Sequence, residues 1–80
     1  MSVACGSAHI LALTDYFKLF SWGVGSYGAL GFGNTDDVSS PKELQIRYEN
    51  SFEEIYVIAC GKYHSMCLSK KNFIYSWGTG

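Results

Sequence analysis

The 22 residues ACGSAHILALTDYFKLFSWGVG, Ala4 to Gly25, return without a gap 55 positions later as ACGKYHSMCLSKKNFIYSWGTG, Ala59 to Gly80. Nine positions are identical: Ala4, Cys5, Gly6, His9, Leu13, Ser21, Trp22, Gly23 and Gly25 recur as Ala59, Cys60, Gly61, His64, Leu68, Ser76, Trp77, Gly78 and Gly80. Chemistry is kept between them, with Leu11 facing Met66, Thr14 facing Ser69, Leu19 facing Ile74 and Phe20 facing Tyr75. Such self-similarity means that each copy is one supersecondary unit in one kind of surroundings, a unit that buries its apolar surface only by stacking on its neighbours. A chain of 80 residues buries about 60 % of the surface its unfolded form exposes, enough for one small core and not for two domains.

Each copy reads as a hairpin. HILALT and HSMCLS are followed by KLFSWG and NFIYSWG, runs rich in aromatic, aliphatic and β-branched residues. Apolar and polar residues do not alternate cleanly along them, as expected for strands covered on both faces. A further strand is expected over 53–59, EEIYVIA, and a weaker extended piece over 41–46, PKELQI, while RYENSFEE, 47–54, reads as a polar extended loop. That makes about four short strands per period and no convincing helix. With a period slightly above the ~50 residues of kelch units, the pattern predicts a β-propeller blade.

The string ACGxxHxxxL, then SWGxGxxGxLGxGN from Ser21 to Asn34, then Pro41 ahead of an apolar strand, resembles the regulator-of-chromosome-condensation repeat. The resemblance implies an all-β fold made of antiparallel blades of a seven-bladed β-propeller. Of such a propeller this chain holds an incomplete fragment of about one and a half repeats: 1–80 as a propeller-repeat fragment, with one full repeat at 4–58 and a partial repeat at 59–80. Where the family has Gly in the hairpin turn, Phe17 and Asn72 stand here. Asn tolerates a positive φ and Phe does so poorly, so the first turn is expected to adopt another type or to carry strain.

Gly23, Gly25 and Gly28 have the G-x-G-x-x-G spacing of a phosphate loop. That loop needs a helix behind it to present its N–H groups, and Gly31 and Gly33 would each cost about 1 kcal/mol in a helix. The glycines are therefore expected to serve backbone geometry. Cys5 and His9, with Cys60 and His64, form two C-x-x-x-H pairs that would suit a Cys₂His₂ zinc site only if they converged. Equivalent positions of successive blades rotate apart, so each His is expected to be a buried hydrogen-bonding residue and each Cys a small core group. Cys67 improves neither this site nor a nucleophile-and-base pair, and no catalytic, cofactor-binding or metal-ligating residue is assigned.

Asp36, Asp37, Glu43, Glu49, Glu53 and Glu54 read as solvated acids, Trp22 and Trp77 as aromatic wedges between blades. Tyr16, Phe17, Tyr27 and Phe32 lie in or beside turns, where exposed aromatics anchor partner contacts. The net charge is −1 and the six Lys and Arg are scattered, which gives no support to nucleic-acid binding. No apolar run reaches the ~18 residues of a membrane span. Three cysteines, an odd number in apolar segments, suit reduced thiols in a cytoplasmic or nuclear setting.

The expected function is a protein–protein interaction module within a longer protein, without enzyme chemistry or cofactor. The resemblance also implies an alternative, part of a guanine-nucleotide exchange factor for a Ran-like small GTPase, because the family's founding member acts on Ran and binds chromatin. No exchange-specific motif carries that activity onto these residues. A small zinc-binding module is the second alternative. An isolated piece of propeller is expected to expose sheet edges and to self-associate, aggregate or remain partly unfolded.

Overall fold

The computed structural model describes residues 2–78. Four strands, β1 (Ser2–Cys5), β2 (His9–Leu13), β3 (Leu19–Gly23) and β4 (Val38–Leu44), form one antiparallel sheet in chain order. A two-residue hairpin, β5 (Arg47–Tyr48) and β6 (Ser51–Phe52), follows. A second antiparallel sheet then runs through β7 (Ile55–Cys60), β8 (His64–Ser69) and β9 (Ile74–Gly78). The 55-residue offset superimposes β1, β2 and β3 on β7, β8 and β9: Leu11 pairs with Ser21 across the first hairpin, and Met66 with Ser76 across the second.

Strand alternation decides which residues meet between the sheets. His9, Leu11 and Leu13 of β2 and Leu19 of β3 point toward the second sheet, while Ser65, Cys67 and Ser69 of β8 point back. Leu11, Leu13, Leu19, Leu44, Ile55 and Cys67 make the shared core. Leu11 and Ile55 are almost wholly removed from water, each contributing roughly 1.5–3 kcal/mol of burial.

The two hairpin turns are the same turn. Phe17 N–H donates to Thr14 O at 3.1 Å and Thr14 N–H to Lys18 O at 2.9 Å; Asn72 N–H donates to Ser69 O and Ser69 N–H to Phe73 O, both at 2.9 Å. Phe17 has φ 65° and Asn72 φ 69°. The first turn therefore does not change type; it carries the strain, of order 1–2 kcal/mol for a residue with a Cβ. Local contacts hold it there: Thr14 Oγ1 accepts from the N–H groups of Tyr16 and Lys18 at 3.2 Å, Ile55 N–H donates to Phe17 O, and the Lys70 ammonium lies 3.5 Å from the Phe17 ring centre.

Other boundaries also shift. The extended piece expected at 41–46 is the strand Val38–Leu44, with Pro41 inside it, and the strand expected at 53–59 is Ile55–Cys60. Ser2–Cys5, whose repeat partner is the second half of β7, is a strand that its own composition did not announce. The 47–54 loop folds back as the β5–β6 hairpin through Glu49 and Asn50, both at positive φ. No α-helix occurs among the described residues; a single 3₁₀ turn spans Ser26–Gly28.

Two glycines with nearly the same backbone separate conformation from crowding. Gly28 has φ +70° and open space where a Cβ would stand, whereas Gly31 has φ +87° and would place a Cβ 2.8 Å from Trp77 Nε1 and 2.9 Å from Leu44 Cδ2. Gly28→Asn is expected to change stability by less than about 0.5 kcal/mol and Gly31→Asn to cost more than about 2 kcal/mol. Urea unfolding midpoints of the two variants check this; equal losses would mean that the dihedral alone matters.

Candidate functional site

The most constrained contacts lie where the first repeat's glycine loop meets the second sheet. Ser65 Oγ donates to Ala29 O at 2.8 Å, and Trp77 Nε1 donates to the same carbonyl at 2.8 Å. With the Ser65 proton so used, the 2.9 Å contact from His9 Nε2 to Ser65 Oγ requires Nε2 to carry the hydrogen and donate. His9, Ser65 and Ala29 are all buried. Gly6 makes the arrangement possible, since a Cβ there would fall on the His9 imidazole, and Gly61 stands in the same relation to His64. Burial pushes the His9 imidazole below its ordinary value, offset in part by the His64 carbonyl and reinforced by repulsion from the His64 ring.

The glycine loop is occupied by the protein itself. Gly25 N–H, which a phosphate loop would offer to its ligand, donates to Asp37 Oδ1 at 2.9 Å, and a carboxylate there opposes an anion. Asp36 N–H donates to Asn34 Oδ1. Among the described residues no helix follows Gly28. The loop's task is to present the Ala29 carbonyl to the neighbouring sheet, a geometric role.

The sequence-derived candidates separate. His9 and Ser65 converge, but among the described residues no group of three or more His, Cys, Asp and Glu side chains gathers as a metal site. All three thiols are free: Cys67 is buried, Cys60 is half-buried against the core, and Cys5 is exposed, contrary to the expectation that Cys5 is a small core group. Burial raises the Cys60 thiol and pushes Cys67 up to about 11, so neither is a ready nucleophile. Both tryptophans are half-buried. Trp77 is the expected wedge between sheets, whereas Trp22 lines the outer face of the first sheet with Ile10 and Phe20. Glu53 is not solvated: it is buried, its Oε1 accepts from the Tyr75 hydroxyl at 3.2 Å and its Oε2 lies 3.6 Å from Lys71 Nζ. The β5–β6 hairpin causes this by returning Glu53 N–H to Ile46 O at 2.7 Å.

The loops and turns at the two ends of the strands carry the exposed aromatics. At one end Tyr27, 57 % exposed, and Tyr63 hold their ring centres 4.8 Å apart, with the Lys62 ammonium 5.2 Å from the Tyr63 ring. Tyr27 sits at φ 64°, a conformation that costs energy for any residue with a Cβ and persists only where its surroundings enforce it. Ser7 fixes the facing loop, its N–H and Oγ both donating to Lys62 O, at 3.2 and 3.0 Å. At the other end Tyr16 is 82 % exposed, Phe17 lies beneath Lys70, and the Tyr48 and Phe73 rings meet at a tilt with their centres 4.9 Å apart. Phe32 is half-buried, beneath Lys42. Tyr63, Tyr48 and Phe73 were not singled out from the sequence; Tyr63 follows the second Cys-Gly pair where the first copy has Ala8, and that departure from the repeat was the available signal.

Residues 18–68 match the family described as "Regulator of chromosome condensation (RCC1) repeat". The chain belongs to the RCC1 repeat family. It is 38 % identical over 82 residues to the human E3 ubiquitin-protein ligase HERC2, an alignment covering 100 % of this chain and 2 % of that protein. Among solved structures it resembles Prp20p from Saccharomyces cerevisiae, with a TM-score of 0.78, 36 % identity and coverage of 96 % of this chain and 18 % of that one. Human WBSCR16 gives a TM-score of 0.84 and 29 % identity, covering 99 % of this chain and 19 % of that one. The chain thus spans less than a fifth of each of these proteins, and its two sheets are antiparallel blades of an RCC1 propeller.

Two serines of this RCC1 blade pair make opposite predictions. Ser65→Ala removes the acceptor of His9 Nε2 and one of the donors to Ala29 O, and should cost about 1–3 kcal/mol because buried polar groups lose their partners. Ser21 is fully buried and its Oγ has no hydrogen-bond partner, so Ser21→Ala should be neutral or stabilising by up to about 1 kcal/mol. Denaturant titrations of both variants decide it.

The His9 shift sets a pH dependence. A base with a folded pKa below its unfolded 6.5 binds fewer protons folded than unfolded, so its contribution is fully present above that value and is lost as the pH falls through it toward the folded pKa. The urea midpoint should drop as the pH falls from neutrality through 6.5, and less steeply in His9→Gln. An equal slope in both proteins would remove His9 as the cause.

Proposed function

We propose that this chain is part of a protein–protein interaction module, a segment of propeller in a longer protein whose partner contacts are made at the blade ends and not between the blades. The observation that carries the reading is the Tyr27–Tyr63 pair, an exposed, rigidly supported aromatic surface built by loops of both blades. Aromatic side chains already fixed in place lose little entropy on binding and are the residues that dominate interface energetics. The between-blade faces are consumed by stacking, which leaves the ends for partners. The chain is read as 4–58, one repeat, followed by 59–80, part of the next, and as bringing no catalytic chemistry of its own. No helix of the described residues is long and apolar enough to cross a membrane. Three free thiols support a cytoplasmic or nuclear setting.

A second reading is favoured by the likeness to Prp20p, whose structure was reported with its binding to Gsp1p and histones. On that reading the parent protein is a guanine-nucleotide exchange factor for a Ran-like small GTPase, and this segment is one part of its propeller. Fold-level likeness alone is weak support for activity.

The test places Tyr27→Ala together with Tyr63→Ala in the parent propeller and compares its cross-linked partners with those of the unaltered protein. Tyr16→Ala, at the opposite end, serves as control. Binding of at least one partner protein should weaken by about tenfold or more in the double variant. An unchanged set of partners at unchanged affinity would overturn the assignment to this end, while accelerated release of guanine nucleotide from a small GTPase by the parent would select the second reading.

A further inference from the structure

The chain's single proline, Pro41, directly follows a serine. Ser40 and Pro41 lie on β4, the last strand of the first sheet, whose order is β1-β2-β3-β4. The second sheet approaches through β7, which packs against β1 and β2, while β4 packs against β3. The two sheets therefore meet most closely away from β4, and β4 turns its free edge outward. Blade stacking covers the faces of a sheet and not its outer edge, so this edge stays open in a longer propeller.

The edge is also interrupted at this point. Leu44, Glu43 and Lys42 pair in turn with Leu19, Phe20 and Ser21, and pairing resumes only at Val38 with Gly23. Ser39, Ser40 and Pro41 thus stand opposite Trp22 alone, three residues against one, as a bulge out of the ladder. Both flanks of the bulge are held: Leu44 is buried in the core, and on the other side Asp37 Oδ1 accepts from Gly25 N–H at 2.9 Å. From Ser39 to Glu43 every residue is exposed, whereas Ser21, Ser65 and Ser69 are wholly buried. Pro41 disfavours the helical conformation for Ser40 and keeps the segment extended.

We infer that Ser40 is a phosphorylation site for a proline-directed protein kinase. A kinase takes its substrate as an extended segment, and this one is extended, exposed and out of the ladder while its flanks stay anchored. A cleft that offers no acceptor to the residue after the serine selects proline, because any other residue would bury an unpaired N–H there. In the step itself Ser40 Oγ attacks the γ-phosphorus of ATP. The new O–P bond forms as the bond from that phosphorus to the β-phosphate oxygen breaks, ADP leaves, and the hydroxyl proton passes to the kinase's catalytic base. The product carries a charge of about −1.5 to −2 at neutral pH, which an exposed bulge accommodates in water. The inference goes beyond the interaction-module reading and uses none of its tyrosines.

The experiment incubates the parent propeller with Mg·ATP and a mitogen-activated protein kinase, which is proline-directed, and maps the modified residue by mass spectrometry. A synthetic peptide of residues 36–46 is the unconstrained reference. Phosphate is expected at Ser40. It should persist in Ser39→Ala, be lost from this segment in Ser40→Ala, and be added at least about tenfold more slowly in Pro41→Ala, in propeller and peptide alike. The folded propeller should react within about a hundredfold of the peptide's rate, because the bulge needs no unfolding to be reached; a site opened only by global unfolding would be slower by about a thousandfold or more. This comparison uses the unaltered protein, so it does not depend on how any variant folds. No incorporation, phosphate on other residues only, equal rates with and without Pro41, or a propeller more than about a hundredfold slower than the peptide overturns the proposal.

Discussion

Both sheets of this protein are apolar on both sides, and that constraint governs the rest. A strand whose alternate residues are Leu11 and Leu13 on one side and Ile10 and Ala12 on the other has no solvent face to offer, so it must lie between two layers. The internal junction satisfies one side of each sheet, with Leu11, Leu19, Leu44 and Ile55 at its centre. Burial alone is non-directional and would let the sheets slide. Register comes from polar contacts, above all from the Ala29 carbonyl, which accepts from both Ser65 and Trp77 and so pins the loop of one repeat to two strands of the next.

This arrangement explains why the glycine-rich segment is present and why it is not a nucleotide site. Its N–H and C=O groups are spent on holding the chain: Gly25 on Asp37, Ala29 on the neighbouring blade. The blade ends are where strain and exposure coincide, at Tyr27, which is why the proposed partner surface is placed there. Divergence between the two copies is informative in the same way. Some positions stay alike although their surroundings here differ, as with Leu13 in the core and Leu68 on the outer side of the second sheet. Others respond to local needs, as Ser65 does by answering His9 while Ile10, its counterpart, lies on an open apolar face.

Much of this was legible in the sequence because the repeat says the same thing twice. The hairpins, the lack of α-helix among the described residues, the propeller class and a buried, hydrogen-bonded His9 follow from periodicity and composition. Other features were not legible. Phe17 keeps a left-handed turn against its own preference because Thr14, Ile55 and Lys70 hold it from three directions, and only Thr14 is close in sequence. Glu53 reads as a surface acid and is buried because a two-residue hairpin, invisible to composition, folds it under Tyr75 and Lys71. Tyr63 acquires meaning only from Tyr27, which lies in another repeat.

The sequence by itself determined the unit and its number of faces, since a 55-residue period with apolar residues on both sides of each strand admits stacked antiparallel sheets and little else. It determined family membership for the same reason, the repeat's spacing being a record of blade geometry. The tertiary structure alone decided how the glycine loop of one repeat is pinned to the next, through the Ala29 carbonyl that accepts from Ser65 and Trp77, and where the buried Glu53 carboxylate finds Tyr75 and Lys71. Local sequence cannot encode those partnerships, because each partner is brought there by a distant part of the chain.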